Sequence, residues 1–267
     1  MQDTSPAPNP LMDRLARRQP ALALGVRHAR TTDIARYAHA TGHHVVWVDL
    51  EHSAIPIDAA GAICATASDL GLVPFVRMPE NDLGVIGRVL DAGAQGIIAP
   101  RIESAQQALA VAQACRFPPQ GHRSAIASLP QFGFRRLPPA ELFQAANRAA
   151  LVQILVESPA GVENAEAILA VDGVDMLAVG TNDLCAELGV PGDFRHPRVR
   201  ECHEHLLAAC IRAGKPLVVG GIPDAGYVAQ FIERGAAPFL FTGMDGDLLL
   251  GALHERAAQA LASVKAS

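Results

Sequence analysis

The sequence predicts a single-domain α/β protein, a (β/α)8 barrel, from three observations. Eight short apolar runs, many of them β-branched, alternate with Ala-rich stretches of helical spacing. The strand interiors are nearly continuous in apolar residues, as parallel strands buried on both faces require, and their polar residues collect at the C-terminal ends. The 267 residues suit one such barrel, which typically takes roughly 250. A doubly wound open sheet is the competing architecture, but the first strand is not followed by a Gly-x-Gly-x-x-Gly turn.

The elements run as follows. Residues 1–20 form an N-terminal segment ahead of a barrel domain spanning 21–267. Strands are expected at Leu22–Val26, Val45–Leu50, Pro74–Met78, Gly96–Pro100, Leu151–Glu157, Met176–Gly180, Pro216–Gly220 and Pro238–Thr242. Amphipathic spacing predicts helices over Thr32–Thr41, Ile57–Leu70, Leu83–Ala92, Ser104–Cys115, Gly161–Ala170, Val199–Ala213 and Ala225–Arg234, with a short helix over Leu184–Leu188. Thr32, Asp82 and Ser104 are positioned as N-caps, and Gly42, Gly71, Gly93, Gly214 and Gly235 as left-handed helix stops. Residues 118–142 break the rhythm with a Pro- and Arg-rich excursion too long for an ordinary connection, expected as a lid or subunit contact over the strand ends. A last helix is expected over 248–264.

Composition narrows the function. A net charge of −5 without an extended basic run argues against a nucleic-acid surface. No apolar run reaches the roughly 18 residues of a membrane span, and residues 1–10 show no signal peptide. Five scattered cysteines fit reduced thiols, so a cytoplasmic protein is expected. Only two lysines, Lys215 and Lys265, stand against twenty arginines. An imine-forming mechanism would have to use one of the two; Lys215 precedes the seventh strand, at the wrong end of a barrel, and Lys265 lies in the tail.

Two carboxylates, Glu157 and Asp183, each follow an apolar run. Buried charge at a strand end is costly unless paired, and a divalent cation is one such partner. Asp49, His52, Arg77 and Arg101 end neighbouring strands on the same face. Each has a plainer reading: Asn182 or Asp183 as a helix cap, Glu157 or Arg77 in an ion pair, His52 as a loop histidine, Asp49 as a turn residue. Their collection at one barrel end favours a joint role. Cys202-His203-Glu204-His205 is metal-like in composition, but residues two apart on a helix face different ways.

At these residues the chain resembles the HpcH/HpaI family of metal-dependent pyruvate aldolases, from about Leu22 to Ala252. The motifs are Val48-Asp-Leu-Glu-His52, Val76-Arg-Met-Pro-Glu-Asn-Asp82, Arg88-Val-Leu-Asp-Ala-Gly-Ala-Gln-Gly-Ile-Ile98, Arg116-Phe-Pro-Pro-Gln-Gly-His-Arg123, Val156-Glu157 and Gly180-Thr-Asn-Asp-Leu-Cys-Ala-Glu-Leu-Gly189. The resemblance implies a barrel enzyme that cleaves a 4-hydroxy-2-oxo acid to pyruvate, or a related 2-oxo acid such as hydroxypyruvate, and an aldehyde. It implies Glu157 and Asp183 as metal ligands, His52 as base held by Asp49, and Arg77 on the keto oxygen. The amides of Asn182 and Asp183 would hold the substrate carboxylate, and Asp91 would reach a neighbouring subunit's site in a homo-oligomer, a hexamer by family precedent. All-oxygen ligation suits Mg2+ or Mn2+, with Co2+ or Zn2+ as further options. Alternative outcomes are a citrate-lyase-like acyl-CoA lyase, an oxaloacetate decarboxylase and a non-catalytic 2-oxo acid binder.

The chain departs from the family pattern at Thr181 and Asn182, where Gly-Pro-x-Asp is usual, at Leu155, where glutamine is usual, and at Ser124. Its first-strand loop, Arg27-His28-Ala29-Arg30, is more basic than usual. Arg27 and His28 are therefore candidates for recognising an acidic or hydroxylated acceptor aldehyde.

Overall fold

The computed structural model describes residues 9–265, so the first eight residues of the expected N-terminal segment lie outside the described residues. The elements in order are α1 (Pro10–Ala16), β1 (Ala21–Val26), α2 (Asp33–Ala40), β2 (Val45–Asp49), α3 (Ile57–Asp69), β3 (Val73–Arg77), α4 (Leu83–Asp91), β4 (Gly96–Ala99) and α5 (Ala105–Cys115). A 3-10 turn (Pro130–Phe132) follows, then α6 (Pro139–Ala149), β5 (Leu151–Val156), α7 (Pro159–Glu163), α8 (Ala165–Leu169), β6 (Met176–Gly180) and α9 (Thr181–Glu187). The chain ends with α10 (Pro197–Ala213), β7 (Leu217–Gly220), α11 (Ala225–Glu233), β8 (Phe239–Met244) and α12 (Asp245–Lys265).

All eight strands are parallel, in the order β7-β6-β5-β4-β3-β2-β1-β8. They curl into a nearly closed barrel; among the described residues no hydrogen-bonded ladder joins β7 to β8. Two apolar layers follow from the alternation along each strand. Outward residues such as Val46, Val76, Ile97 and Val179 pack against the helices. Inward residues such as Phe75, Ile98, Leu155 and Phe239 fill the barrel, and Leu11 and Leu15 of α1 join them.

Helix α1 was not expected from the sequence. It is only seven residues long, started by Asn9, whose side chain accepts from the Leu11 N–H, and by Pro10 at the first turn. Helix α6 was likewise missed beside the excursion. The expected helix over Gly161–Ala170 is two short helices, broken where Asn164 gives its side-chain amide to the Glu103 carbonyl. Of the three expected caps, Ser104 accepts from the Gln107 N–H, whereas Thr32 and Asp82 make no side-chain cap. The five glycine stops all hold positive φ.

The excursion is not a lid over the strand ends. It leaves the C-terminus of α5 and returns through α6 to the start of β5, and both points lie at the N-terminal end of the barrel. There it packs its own small core of Phe117, Leu129, Leu142 and Ala146. Arg123 pairs with Asp91 at the end of α4, and Gln131 donates to the Leu90 carbonyl. A helix-to-strand connection belongs at that end because each helix runs antiparallel to its strand.

Candidate active site

The strand C-termini enclose a cavity of about 320 Å3, with Arg27, Arg77, Glu157 and Asp183 on its polar side and Trp47 and Phe241 on its apolar side. Asp49, at the end of β2, organises the cationic part. Its fully buried carboxylate accepts from Arg77 Nε at 3.0 Å and Arg77 Nη2 at 2.7 Å, from Arg27 Nε at 3.0 Å, and from the backbone N–H groups of Glu51 and His52. Burial alone would push this carboxyl up; the arginine and backbone donors outweigh it and hold Asp49 below the ordinary range. The Arg77 guanidinium also lies 5.1 Å from the centre of the Trp47 ring.

Asp49 therefore holds the His52 backbone, not its imidazole. The imidazole is half exposed, and its Nε2 lies 3.6 Å from Glu51 Oε2. Glu51 also faces Arg77 Nη1 at 3.3 Å. Burial, and then the carboxylates of Asp49 and Asp183, raise its pKa against the pull of Arg77 and His52. Glu51 was not singled out from the sequence, although it sits inside the Asp-Leu-Glu-His run; only the fold shows that it bridges arginine and histidine.

Glu157 follows β5 and is buried. Burial first, then the charge of Asp183, raise its pKa to about 7. The Arg101 backbone N–H donates to Glu157 Oε2 at 3.1 Å, from a residue held at φ 53°. That left-handed backbone is costly for a side-chain-bearing residue and is retained here beside the site. Gly180, at the end of β6, completes the cradle: a Cβ there would come within 2.4 Å of Glu157 Oε1. Asp183 is partly exposed, and Arg101 Nη2 reaches its Oδ1 at 3.3 Å. Among the described residues no group of three or more His, Cys, Asp or Glu gathers in metal-binding fashion. A cation here would be held by the Glu157–Asp183 pair, leaving its other positions open to ligands. Two adjacent carboxylates, one driven toward its protonated form by burial and by the charge of the other, are a donor set that a divalent cation fits.

Asn182 and Asp183 lie in the first turn of α9, where backbone N–H groups lack an intrahelical acceptor. The turn is braced from behind. Thr181 Oγ donates to the Gly220 carbonyl at 2.7 Å and meets His203 Nε2 at 3.1 Å, while His203 Nδ1 meets the Tyr227 hydroxyl at 3.1 Å. With the Thr181 proton committed to Gly220, hydrogen-bond balance assigns the His203 proton to Nε2 and makes Nδ1 the acceptor of the Tyr227 hydroxyl. Burial lowers the His203 pKa to about 4, which keeps the ring neutral. Thus His203 is a buried strut, and Thr181 is where it is anchored.

Asp91 is not brought to the site of its own chain; it ends α4 at the opposite end of the barrel, paired with Arg123 at 2.7 Å. Lys215 also lies at that end, donating to the carbonyls of Leu169 and Val171.

Comparison with known proteins gives a consistent result. Residues 28–252 match the model of the family described as HpcH/HpaI aldolase/citrate lyase. A Hapsidospora irregularis protein named 4-hydroxy-4-methyl-2-oxoglutarate aldolase is 36% identical over 247 residues, covering 91% of each chain. A hydroxypyruvate/pyruvate aldolase of Cupriavidus necator is 30% identical, covering 95% of this chain and 93% of that one. Among solved structures, an HpcH/HpaI aldolase from Desulfitobacterium hafniense superposes with a TM-score of 0.85 at 28% identity, covering 97% of each chain.

Proposed function

The chain belongs to the HpcH/HpaI aldolase/citrate lyase family and is an enzyme of its aldolase class, and on that premise we propose how this site works. It cleaves a 4-hydroxy-2-oxo acid reversibly to pyruvate, or a related 2-oxo acid such as hydroxypyruvate, and an aldehyde. Glu157 and Asp183 hold a divalent cation, Mg2+ or Mn2+ by the hardness of the oxygen donors, with Co2+ and Zn2+ less suited. When bound, the cation supplies the electron sink that breaking a C–C bond requires.

The protein's own groups do the rest. The Arg77 guanidinium, fixed by Asp49 and Glu51, stabilises the negative charge that develops on the keto oxygen. His52 takes the proton of the C4 hydroxyl in cleavage and returns a proton to the methyl carbon of the product. The N–H groups of Asn182 and Asp183 bind the substrate carboxylate at the start of α9. Asp91 acts, on this reading, in the site of a neighbouring copy.

The observation that carries the reading is that Glu157, Asp183 and Arg77, the last fixed by Asp49 and Glu51, line one cavity. Pyruvate release from a panel of 4-hydroxy-2-oxo acids, with and without EDTA, tests it. Release abolished by EDTA and restored by Mg2+ or Mn2+ is the expected result; release that persists in EDTA overturns it.

A homo-oligomer, with a hexamer as the expected size, is part of the same proposal. Helix α12 runs 21 residues, and every described side chain from Asp247 onward is exposed, including Leu248, Leu249, Leu250, Leu253 and Leu261. It packs against the barrel chiefly at β1 and β8. Most helical stability in proteins comes from packing of an apolar face, and a helix that exposes leucines in this way calls for a covering surface. A second copy, whose β8 leaves Phe241 and Thr242 equally exposed, is the partner that fits. No helix among the described residues is long and apolar enough to cross a membrane. The five cysteines are free, in keeping with a cytoplasmic setting.

A further inference from the structure

We propose that Glu51 is the positioning residue of His52: it holds the imidazole by Nε2 and leaves Nδ1 as the nitrogen that takes the substrate proton. The inference rests on the reading of His52 as the base and adds to it the carboxylate partner and the reacting atom.

The turn after β2 fixes His52 by its backbone alone. Asp49 Oδ1 accepts from the N–H groups of Glu51 at 3.0 Å and His52 at 3.1 Å, and Ser53 Oγ donates to the Asp49 carbonyl. The His52 side chain is 53% exposed, and among the described residues its ring makes no hydrogen bond. A base free to rotate is poorly aimed at the proton it must take.

Glu51 supplies the missing hold. Its side chain is only 12% exposed, and its Oε2 is buried without a hydrogen bond. A buried acceptor left without a donor is costly, so the fold keeps this oxygen for a group that can reach it. Two donors face it, Arg77 Nη1 at 3.3 Å and His52 Nε2 at 3.6 Å. Arg77 does not depend on it, because its Nε and Nη2 already bind the two oxygens of Asp49. The His52 ring has no other partner. Its contact lies just beyond hydrogen-bond length, and catalytic contacts commonly tighten to that length when substrate binds.

The proton count follows. With Nε2–H directed at Glu51, the neutral ring carries its lone pair on Nδ1. Nδ1 takes the proton of the C4 hydroxyl, the O–H electron pair becomes the new carbonyl bond, and the C3–C4 pair passes to the enolate. The ring is then a cation, balanced by the Glu51 charge at Nε2. The proton leaves Nδ1 for C3, which restores the neutral ring. Because the same Oε2 faces Arg77, Glu51 also ties the base to the guanidinium on the keto oxygen.

Exchange of the pyruvate methyl protons with D2O by the Mg2+-loaded enzyme tests this, with kcat and KM read separately. Glu51→Gln, which keeps the shape and removes the charge, should lower kcat on the order of 100-fold and leave the KM for pyruvate unchanged. Glu51→Asp keeps the charge and shortens its reach; it should fall between, and it decides the matter if the glutamine variant fails to fold by circular dichroism. Glu51→Gln made in a His52→Ala background should cost nothing further, because Glu51 acts through the ring. A kcat left at the wild-type value overturns the proposal; if KM rises instead, Glu51 serves only Arg77. A further loss of the same size in the His52→Ala background overturns it as well. Exchange in His52→Ala at the wild-type rate would remove His52 as the base and this inference with it. Wild type without exchange would overturn the aldol reading itself.

Discussion

Glu157 keeps its proton to about pH 7 in the fold and ionises near 4.5 when free of it. The folded state therefore binds the extra proton. The stability tied to it is full below pH 4.5 and lost as pH rises through 7, on the order of 3 kcal/mol. Urea unfolding of EDTA-treated protein should show this loss between about pH 5 and pH 8, and Glu157→Gln should largely remove it. His203 has the opposite sign. It stays neutral in the fold down to about pH 4, whereas the unfolded chain takes up a proton near 6.5. Its contribution is full above pH 6.5 and lost as pH falls through 4. Thr181→Val, which leaves His203 Nε2 without its acceptor, should cost about 1–3 kcal/mol in urea unfolding, and Thr181→Ser should recover most of it. The composition around His203 looked like a metal site; helix geometry argued against that reading, but its partners on α9 and α11 belong to distant parts of the chain and had no local signal.

At the scale of elements, the turn from β6 to α9 carries the most chemistry. Gly180 leaves room for Glu157, Thr181 anchors the turn, and Asn182 and Asp183 face the cavity. In Gly180→Ala the new Cβ displaces the Glu157 carboxylate. Mn2+ affinity measured by electron paramagnetic resonance should fall at least about tenfold, as it does when a ligand's support is disturbed, while the urea midpoint moves little. The strands were legible to within two residues because each is a nearly continuous apolar run. Helices α1 and α6 were not, since one has only seven residues and the other begins inside a Pro-rich excursion. That excursion was assigned to the wrong end of the barrel. Its length was visible, but the end it occupies follows from where a helix hands over to a strand. Asp49 and Arg77 were visible as strand-end charges; the role of Glu51 as the link between Arg77 and His52 was not, because it depends on how the loop after β2 sets the Glu51 side chain against the end of β3.

At the scale of the molecule, seven ladders hold the eight strands while the seam between β7 and β8 carries none among the described residues, and α12 stands off beside β8. If a second copy covers that helix, paired Leu249→Asp and Leu253→Asp changes should lower the oligomer to monomers in light scattering, with the barrel's circular dichroism retained. Unchanged mass would remove α12 from the interface. The central claim is that this barrel end forms an enolate from a 2-oxo acid using a cation held by Glu157 and Asp183, and it can be tested without knowing the aldehyde. Exchange of the pyruvate methyl protons with D2O, followed by proton NMR, reports that step alone. The account predicts exchange with Mg2+, none after EDTA treatment and none in Glu157→Gln. Exchange that continues in EDTA, or that survives in Glu157→Gln, would contradict it.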